Sequence, residues 1–230
     1  MTGKIDFDQY AQNYERILKN QLNFFDGNTD YFAEYKVQTI CEQIRERPQN
    51  ILEYGCGTGR NLRFLMKMFP GSNIYGCDIS RKSLAIASQN APAAHLFQNN
   101  TNDDDKYIEH FDLIFLAGVM HHIPPSSRAN SLSLLKKWLK RNGEIFIFEH
   151  NPYNPVTRHL VNSCPYDKDA VLLEPKELKS LFLKNGFKIL SMKYALFFPS
   201  FLKGLRPLEK KLAYLPLGGQ YYIQTIKGLS

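Results

Sequence analysis

A glycine-rich turn between an apolar run and a helical pattern constrains this chain more than any other feature. The turn and the strand before it read Ile51-Leu52-Glu53-Tyr54-Gly55-Cys56-Gly57-Thr58-Gly59. Glycines adopt backbone dihedral angles that other residues avoid, and the helix that follows presents free N–H groups to a polar ligand. Asp78 lies nineteen residues after Gly59, at the end of the next apolar run, where its carboxylate can accept hydrogen bonds from a ribose. The combination predicts a ligand that contains a nucleoside.

Short apolar runs alternate with helical patterns along the chain, which predicts βαβ units around a mostly parallel sheet. Predicted strands occupy 50–54, 74–77, 95–98, 111–117, 145–149, 187–190 and 221–226. Predicted helices occupy 7–20, 30–46, 58–69, 81–89, 126–140 and 175–185, and Asn142-Gly143 is expected to close the fifth. Right-handed crossovers then give a doubly wound α/β sheet, which binds ligands at the carboxyl ends of its strands.

The 230 residues are expected to form a single domain. Its expected parts are an N-terminal helical lid at 1–48, a cofactor-binding core at 49–150, and a C-terminal half at 151–230 with an insertion at about 195–217. The sequence has no run of about 18 apolar residues and no apolar signal core, and its four cysteines form no CxxC pair. We therefore expect a cytoplasmic protein, or one peripheral on the inner face of a membrane, and no metal site.

The spacing of the glycines separates two classes of ligand. Dinucleotides favour G-x-G-x-x-G, whose third glycine would fall at position 60, and that position is Arg60. Glu53 precedes the first glycine by two residues, and a carboxylate at this point suits a ligand that carries an amine. S-adenosylmethionine (SAM) carries an amine, a carboxylate, a sulfonium and a ribose. The pattern therefore fits SAM better than a dinucleotide.

Four segments together resemble the class I, Rossmann-like SAM-dependent methyltransferases, and in particular their type 11/12 group. Ile51–Gly59 resembles the family's first motif, Ile74–Ser80 its second, Phe111–Phe115 its fourth strand, and Lys140–Ile145 the turn before its fifth strand. The resemblance covers roughly residues 7–150. It implies a seven-stranded sheet with an antiparallel last strand, SAM as the cofactor and S-adenosylhomocysteine (SAH) as its product.

The resemblance also implies which residues bind SAM. Lys36 is a candidate partner for the SAM carboxylate, and Asn100 stands where the family often has an aspartate toward the adenine amine. The complete set of expected cofactor contacts is Tyr14, Lys36, Glu53, Gly55, Cys56, Gly57, Gly59, Asn61, Asp78, Ile79, Asn99, Asn100, Ala117 and Val119.

Histidines follow two of the predicted strands and are the candidate catalytic residues. Val119–Pro124 is similar to the Leu-His-His segment of ubiquinone- and menaquinone-type methyltransferases, and it contains His121 and His122. His150 follows the fifth strand. An imidazole near neutral pH can act as a base or bind an acceptor hydroxyl. The alternatives are that His122 packs against or caps the next helix, and that the loop after His150 is only a rigid proline turn.

The expected acceptor contacts are Tyr10, Asn151 and Arg158. Phe7–Tyr14 is similar to the opening segment of small-molecule methyltransferases, where it forms a lid over the cofactor. The aromatic side chains of this region are also consistent with simple core packing. The insertion at about 195–217 mixes aromatic, leucine and basic residues, and three interpretations stay open: structural packing, an acceptor lid, and contact with a membrane surface.

These features predict a SAM-dependent methyltransferase that acts on a small molecule, a lipid or a glycan. The net charge is −2 over residues 1–110 and +9 over residues 111–230, so an RNA or protein methyltransferase is one alternative. Against it, no Asn-Pro-Pro-Tyr motif follows the fourth strand and the basic residues are scattered, so nucleic acid is not expected as a partner. A SAM-binding protein without catalytic activity is the other alternative.

Overall fold

A computed structural model describes residues 5–13, 16–17, 29–99 and 105–228. Within these residues, seven strands form one sheet in the order β3-β2-β1-β4-β5-β7-β6. The strands are β1 Asn50–Tyr54, β2 Asn73–Asp78, β3 His95–Gln98, β4 Phe111–Ala117, β5 Leu139–His150, β6 Phe187–Ala195 and β7 Gln220–Lys227. Strand β7 is antiparallel to both of its neighbours, and the pairs from β3 to β5 are parallel. The predicted α/β sheet with an antiparallel last strand is confirmed.

Helices cover both faces of this sheet. They are α1 Thr29–Gln43, α2 Arg60–Met68, α3 Arg81–Asn90, α4 Arg128–Trp138, α5 Pro155–Ser163, α6 Pro175–Lys184 and the single turn α7 Glu209–Leu212. Short 3₁₀ turns occupy Phe7–Gln9, Ala11–Asn13, Met120–His122, Pro125–Ser127 and Ser200–Leu208. None of the helices in the described part of the chain is long and apolar enough to span a bilayer.

The central strands are apolar on both sides because each side packs in a separate core. Leu52 and Ile114 pack with Trp138 in one cluster. Ile51 and Phe115 pack in the other, on the opposite face. Neighbouring residues of a strand point to opposite faces, so a strand between two helical layers must be apolar throughout. Because these strands pair in parallel, the carboxyl ends of β1, β2, β4 and β5 lie along one edge of the sheet.

Strand β5 is much longer than the predicted strand at 145–149. The predicted helix at 126–140 ends at Trp138, and Leu139 already pairs with Phe111 of β4. Asn142-Gly143 therefore lies inside the strand and does not close a helix. The register of β4 and β5 shifts between Phe111 and Leu113, which accommodates the extra residues as a bulge.

The N-terminal segment, defined as residues 5–13, does not form the start of the helix predicted at 7–20. It consists of two 3₁₀ turns, and the Asp6 side chain accepts hydrogen bonds from the N–H of Asp8 and from Gln9 Nε2. Local bonds of this kind compete with a regular helix. Helix α5 was not predicted from the sequence, although its start has an ordinary capping pattern. Asn154 is the N-cap, and its Oδ1 accepts hydrogen bonds from the N–H of Val156 and Thr157. Pro155 follows at the first helical position, where proline is common.

Candidate active site

A cavity of about 510 Å³ opens at the carboxyl ends of the parallel strands. Its wall includes Glu53 from the end of β1, Asp78 from the end of β2, Ala117 from β4 and His150 from β5. The N-terminal segment and the loop before β7 complete the wall. Cavities of this size hold small ligands, and their position in an open α/β sheet is the usual one for ligand binding.

Backbone hydrogen bonds fasten the glycine-rich turn to β2. The N–H groups of Gly55 and Cys56 both donate to the Cys77 carbonyl, at 2.8 and 2.9 Å. The N–H of Gly57 donates to Asp78 Oδ2 at 2.8 Å, and Asp78 Oδ1 accepts from the N–H of Ser80 at 2.9 Å. The Asp78 carboxylate is thus fixed in orientation, and each of its oxygens keeps a lone pair for a ligand.

The three glycines of the turn have positive φ angles but meet different surroundings. A Cβ at Gly55 would lie 2.6 Å from Val119 Cγ2, and a Cβ at Gly59 would lie 3.0 Å from Ala87 Cβ. A Cβ at Gly57 would meet nothing within 4 Å. Gly57 is therefore the glycine that leaves room for a ligand. Gly59, predicted as a cofactor contact, lies outside the cavity wall and instead permits close packing of α2 on α3.

A buried group of opposite charges, here called the charged pocket, consists of Lys36, Glu53 and Arg60. The side chain of Glu53 is 1% exposed, and its Oε1 accepts a hydrogen bond from Asn61 Nδ2 at 2.5 Å. Its Oε2 is buried without a partner, as are Nε and Nη1 of Arg60. Lys36 Nζ donates to the Phe32 carbonyl at 3.1 Å. Buried polar atoms normally have partners, so these atoms mark a place for a ligand that carries both charges.

Burial shifts the titration of two groups in the charged pocket. Desolvation raises the pKa of Glu53 to about 8, although Asn61, Arg60 and Lys36 oppose that shift. Desolvation, with the nearby charge of Arg60, lowers the pKa of Lys36 to about 7. Both groups are therefore poised to change charge when a ligand of complementary charge is bound.

Most of the predicted cofactor residues lie in the cavity wall. These are Lys36, Glu53, Gly55, Cys56, Gly57, Asn61, Asp78, Ile79, Asn99, Ala117 and Val119. Tyr14 and Asn100 lie outside the described residues. The amide of Asn61 orients Glu53 through Nδ2, and its Oδ1 is buried without a hydrogen bond.

The three predicted catalytic histidines also converge on the cavity, together with Asp167, and buried Glu149 lies behind them outside the cavity wall. We call His121, His122, His150, Glu149 and Asp167 the histidine cluster. His121 Nδ1 lies 2.6 Å from Glu149 Oε2, and His121 Nε2 lies 3.8 Å from Asp167 Oδ1. His122 Nε2 lies 3.2 Å from the same Asp167 oxygen. The rings of His121 and His150 are 5.0 Å apart.

The two carboxylates control the charge of the cluster. Burial alone would lower the pKa of His121, but Glu149 and Asp167 raise it to about 9. Burial would raise the pKa of both carboxyl groups, yet the histidines hold the pKa of Glu149 below and that of Asp167 well below the ordinary range. Burial and the charge of His121 lower the pKa of His150 to about 4. At neutral pH His121 is thus a cation held between carboxylates, and His150 is a neutral imidazole.

Of the three predicted acceptor contacts, only Tyr10 lies in the wall, where its ring packs edge-on against Tyr166. Asn151 is fully buried, and its Nδ2 donates to the carbonyls of Pro216 and Gly218. The amide of Asn151 thus fastens the loop before β7, and the residue lies outside the cavity wall. Arg158 is exposed on α5 and lies outside the cavity wall. Both residues are close to His150 in the sequence, but neither lies in the cavity wall.

The N-terminal segment joins the two ends of the cavity. Asp8 Oδ1 accepts a hydrogen bond from Ser80 Oγ at 2.5 Å, beyond the end of β2. The N–H of Ile5 donates to Asp169 Oδ2 at 3.0 Å, in the loop after α5. Phe7 packs edge-on against His122, with ring centres 5.1 Å apart. The segment therefore covers both the side near Asp78 and the side near the histidine cluster.

Part of the insertion between β6 and β7 contributes to the cavity wall. Leu196, Phe198 and Arg206 line the cavity, and the Arg206 guanidinium lies 3.6 Å from the centre of the Tyr31 ring. Buried Glu209 holds this part in place, because its Oε1 accepts hydrogen bonds from the N–H of Phe197 and Phe198. Elsewhere the insertion exposes large apolar side chains, namely Phe201, Leu202, Leu205, Leu208, Tyr214, Leu215 and Leu217.

Two site residues escaped sequence reasoning. Arg60 was considered only as the residue that breaks a dinucleotide motif. Its position in the first turn of α2, directly after the glycine-rich turn, could have predicted a contact with the ligand. Asp167 lies 46 positions after His121, and no local pattern marks it as a partner of the histidines.

Residues 51–143 match a family described as a methyltransferase domain. The fold of the whole chain is shared with a solved SAM-dependent methyltransferase from Archaeoglobus fulgidus, with a TM-score of 0.68 and 16% identity, over 93% of this chain and 100% of the other. Residues 51–143, with the glycine-rich turn and Asp78, are therefore a SAM-dependent methyltransferase domain, and the sheet has the fold of solved SAM-dependent methyltransferases.

Curated relatives of this chain act on different acceptors. It is 27% identical to malonyl-[acyl-carrier protein] O-methyltransferase of Halalkalibacterium halodurans, over 78% of this chain and 67% of that protein. It is 29% identical to demethylmenaquinone methyltransferase of Thermotoga maritima, over 64% of this chain and 61% of that one. It is 25% identical to a tRNA N(3)-cytidine methyltransferase of Homo sapiens, over 64% and 55%. A third or more of each relative therefore lies outside the match.

Proposed function

We propose that this enzyme transfers the methyl group of SAM to a small-molecule or lipid acceptor that binds beside the histidine cluster. The observation that carries the proposal is the lining of one cavity, which has Asp78 at the end of β2, the histidines at the ends of β4 and β5, and the charged pocket as a further part of its wall. The N-terminal segment covers both the side near Asp78 and the side near the histidine cluster, so an acceptor must be small, or must reach the cavity with a narrow part.

The charged pocket fits the amino-acid end of SAM. We assign Glu53 to its ammonium group and Lys36 with Arg60 to its carboxylate, because the partnerless atoms of this pocket have the complementary charges. Asp78 would accept hydrogen bonds from the ribose hydroxyls, as in other nucleotide-binding α/β folds. The space in front of Gly57 lets a ligand approach the backbone.

SAM supplies an activated methyl group, so the protein needs only to align an acceptor and exclude water. Phe7, Tyr10 and Tyr166 provide an apolar, aromatic wall on the acceptor side. The neutral His150 can accept a hydrogen bond from an acceptor hydroxyl. His121 cannot serve as a base at neutral pH, because its raised pKa keeps it protonated. His121 therefore orders the cluster by holding Glu149 and Asp167 in place.

A labelling experiment tests the acceptor class. Purified protein is incubated with methyl-labelled SAM and a cell extract, and the label is then partitioned among lipid, aqueous small-molecule, protein and nucleic-acid fractions. We expect label in the small-molecule or lipid fraction. The variant Asp78→Ala should abolish this label, and Asp105→Asn, which changes an exposed aspartate far from the cavity, should not.

The same experiment can overturn the proposal. Label in RNA or protein alone would contradict the acceptor class and would favour the alternative suggested by the tRNA-modifying relative and the basic C-terminal half. No label in any fraction, from protein that still binds SAH, would contradict catalysis and favour a SAM-binding protein.

A further inference from the structure

Three atoms of the histidine cluster have the arrangement of metal ligands. His121, His122 and Asp167 each offer one donor atom, and these atoms all lie within 4.8 Å of one another. Ligands at about 2.0–2.2 Å from a tetrahedral metal are separated by about 3.3–3.6 Å. The separations from Asp167 Oδ1 to the two Nε2 atoms are 3.2 and 3.8 Å. The two histidine donor atoms lie within 4.8 Å of each other, so a metal would draw them together by at most about 1.5 Å.

The surroundings of His121 prepare its Nε2 atom for this role. Glu149 Oε2 lies 2.6 Å from His121 Nδ1, which directs one ring nitrogen to the carboxylate and the other to Asp167. Glu149 itself is fixed, because its Oε1 accepts hydrogen bonds from the N–H of Val119 and Met120. A carboxylate behind a histidine is the usual support of a metal ligand, since it fixes both the tautomer and the ring orientation.

The cluster also leaves polar atoms without partners. His122 Nδ1 and Asp169 Oδ1 are buried without a hydrogen bond and lie 3.6 Å apart. The 3.8 Å between His121 Nε2 and Asp167 Oδ1 is too long for a hydrogen bond. Asp169 thus lies behind the His122 ring, on the Nδ1 side, and leaves Nε2 directed to Asp167.

We propose that His121, His122 and Asp167 bind a divalent transition metal of the zinc type, which displaces the proton from His121 Nε2 to water, with the remaining coordination position toward the cavity. Two imidazoles and one carboxylate suit zinc, and three protein ligands with one open position are typical of catalytic sites. Magnesium is excluded by the same ligand set, because it prefers oxygen ligands. The sequence alone predicted no metal site, because Asp167 lies 46 positions after His121 and 45 after His122, and because the three ligands include no cysteine.

The metal would bind an oxygen of the acceptor and lower the pKa of a hydroxyl there, with the proton passing to water. This role rests on the proposed function, but metal binding itself does not. The metal would also restrict the acceptor to molecules that present an oxygen beside the histidine cluster.

Metal titration of the full-length protein tests the inference. The exposed thiol of Cys41 is first changed to serine to avoid adventitious binding, and the protein is dialysed against a chelator. Calorimetry with Zn²⁺ should give one equivalent per chain, and Co²⁺ should give the visible absorption of a tetrahedral site. His122→Ala and Asp167→Asn should each weaken Zn²⁺ binding at least tenfold. His159→Ala, which removes an exposed histidine of α5, should leave it unchanged.

Circular dichroism and thermal unfolding verify that each variant is folded before its titration. Less than half an equivalent of Zn²⁺ in the parent protein, or equal affinity in His122→Ala and His159→Ala, would overturn the inference. Methyl transfer that persists in metal-free protein would then leave the proposed function intact. Conversely, specific Zn²⁺ binding without methyl transfer to any fraction would support the site and contradict the function.

Discussion

Glu53 shows how a single side chain can be costly for folding and useful for binding. It lies at the end of β1, where the sheet buries it, and one of its oxygens has no partner. A buried carboxyl group without a full set of partners prefers its neutral form, which explains its raised pKa. An ammonium group of a bound ligand would supply the missing charge. The side chain is thus better suited to the complex than to the free protein.

This leads to a prediction about Glu53→Gln. The folded-state pKa of Glu53 is about 8, above its ordinary value of 4.5, so between these values the folded protein holds a proton that the unfolded chain has lost. The contribution of Glu53 to stability is therefore present at low pH and is lost as pH rises toward 8. The glutamine does not titrate, so the advantage of the variant in free energy of unfolding should grow from pH 5 to pH 8, as measured by urea denaturation.

The same variant should bind SAH at least about tenfold more weakly in calorimetry, because a charged hydrogen bond contributes about 1.5–3 kcal/mol. Glu46→Gln is the matched control, since Glu46 is exposed, and it should change neither quantity. A Glu53→Gln protein that binds SAH normally would remove Glu53 from the cofactor site.

Among the elements, the N-terminal segment is unusual because it contacts both sides of the cavity, the one near Asp78 and the one near the histidine cluster. Its described part is held by the Asp8 carboxylate, which accepts hydrogen bonds from Ser80 Oγ and from the N–H of Lys82. These bonds lie just beyond Asp78. The segment is thus attached beside the residue assigned to the ribose.

Asp8→Ala should release one end of this segment. We expect SAH to dissociate several-fold faster in stopped-flow measurements, with little change in the melting temperature, because Asp8 lies at the surface and supports no core. Asp105→Asn provides a control at another exposed aspartate. An unchanged dissociation rate in Asp8→Ala would show that the segment does not cover the cofactor.

The elements also show what sequence can and cannot predict here. The glycine-rich turn and Asp78 are local patterns, and the sequence located both. The length of β5 was not predictable, because Leu139 becomes a strand residue only by pairing with Phe111. Asp167 meets His121 only after α5 has returned the chain to the cavity. Contacts that depend on such long-range packing leave no pattern in the neighbouring residues.

For the whole molecule, a buried polar network joins the helical layer to the sheet at the end away from the cavity. Glu144 of β5 accepts hydrogen bonds from the N–H and Nε of Arg45 and from Gln224 Nε2. The Glu144 side chain is 4% exposed, whereas that of Arg45 is 49% exposed. Three donors therefore depend on one carboxylate, which ties the end of α1 to two neighbouring strands.

Glu144→Ala should lower the free energy of unfolding by about 1–3 kcal/mol, because it removes a buried carboxylate that accepts three hydrogen bonds. The residue lies about 20 Å along β5 from His150, so SAH affinity should not change. Glu34→Ala breaks an exposed ion pair with Lys67 and should cost less than about 1 kcal/mol. Equal losses in the two variants, measured by urea denaturation, would contradict the importance of the network.

The position of the N-terminal segment, residues 5–13, has a kinetic consequence. Because residues 5–13 are bonded to Ser80 and to Asp169, we expect them to slow the exchange of both the spent nucleoside and the methylated product. Departure of the two products then depends on the same motion. Opening of the N-terminal segment would then limit the turnover rate. The steady-state rate would depend more strongly on solvent viscosity than on the leaving group of the methyl donor.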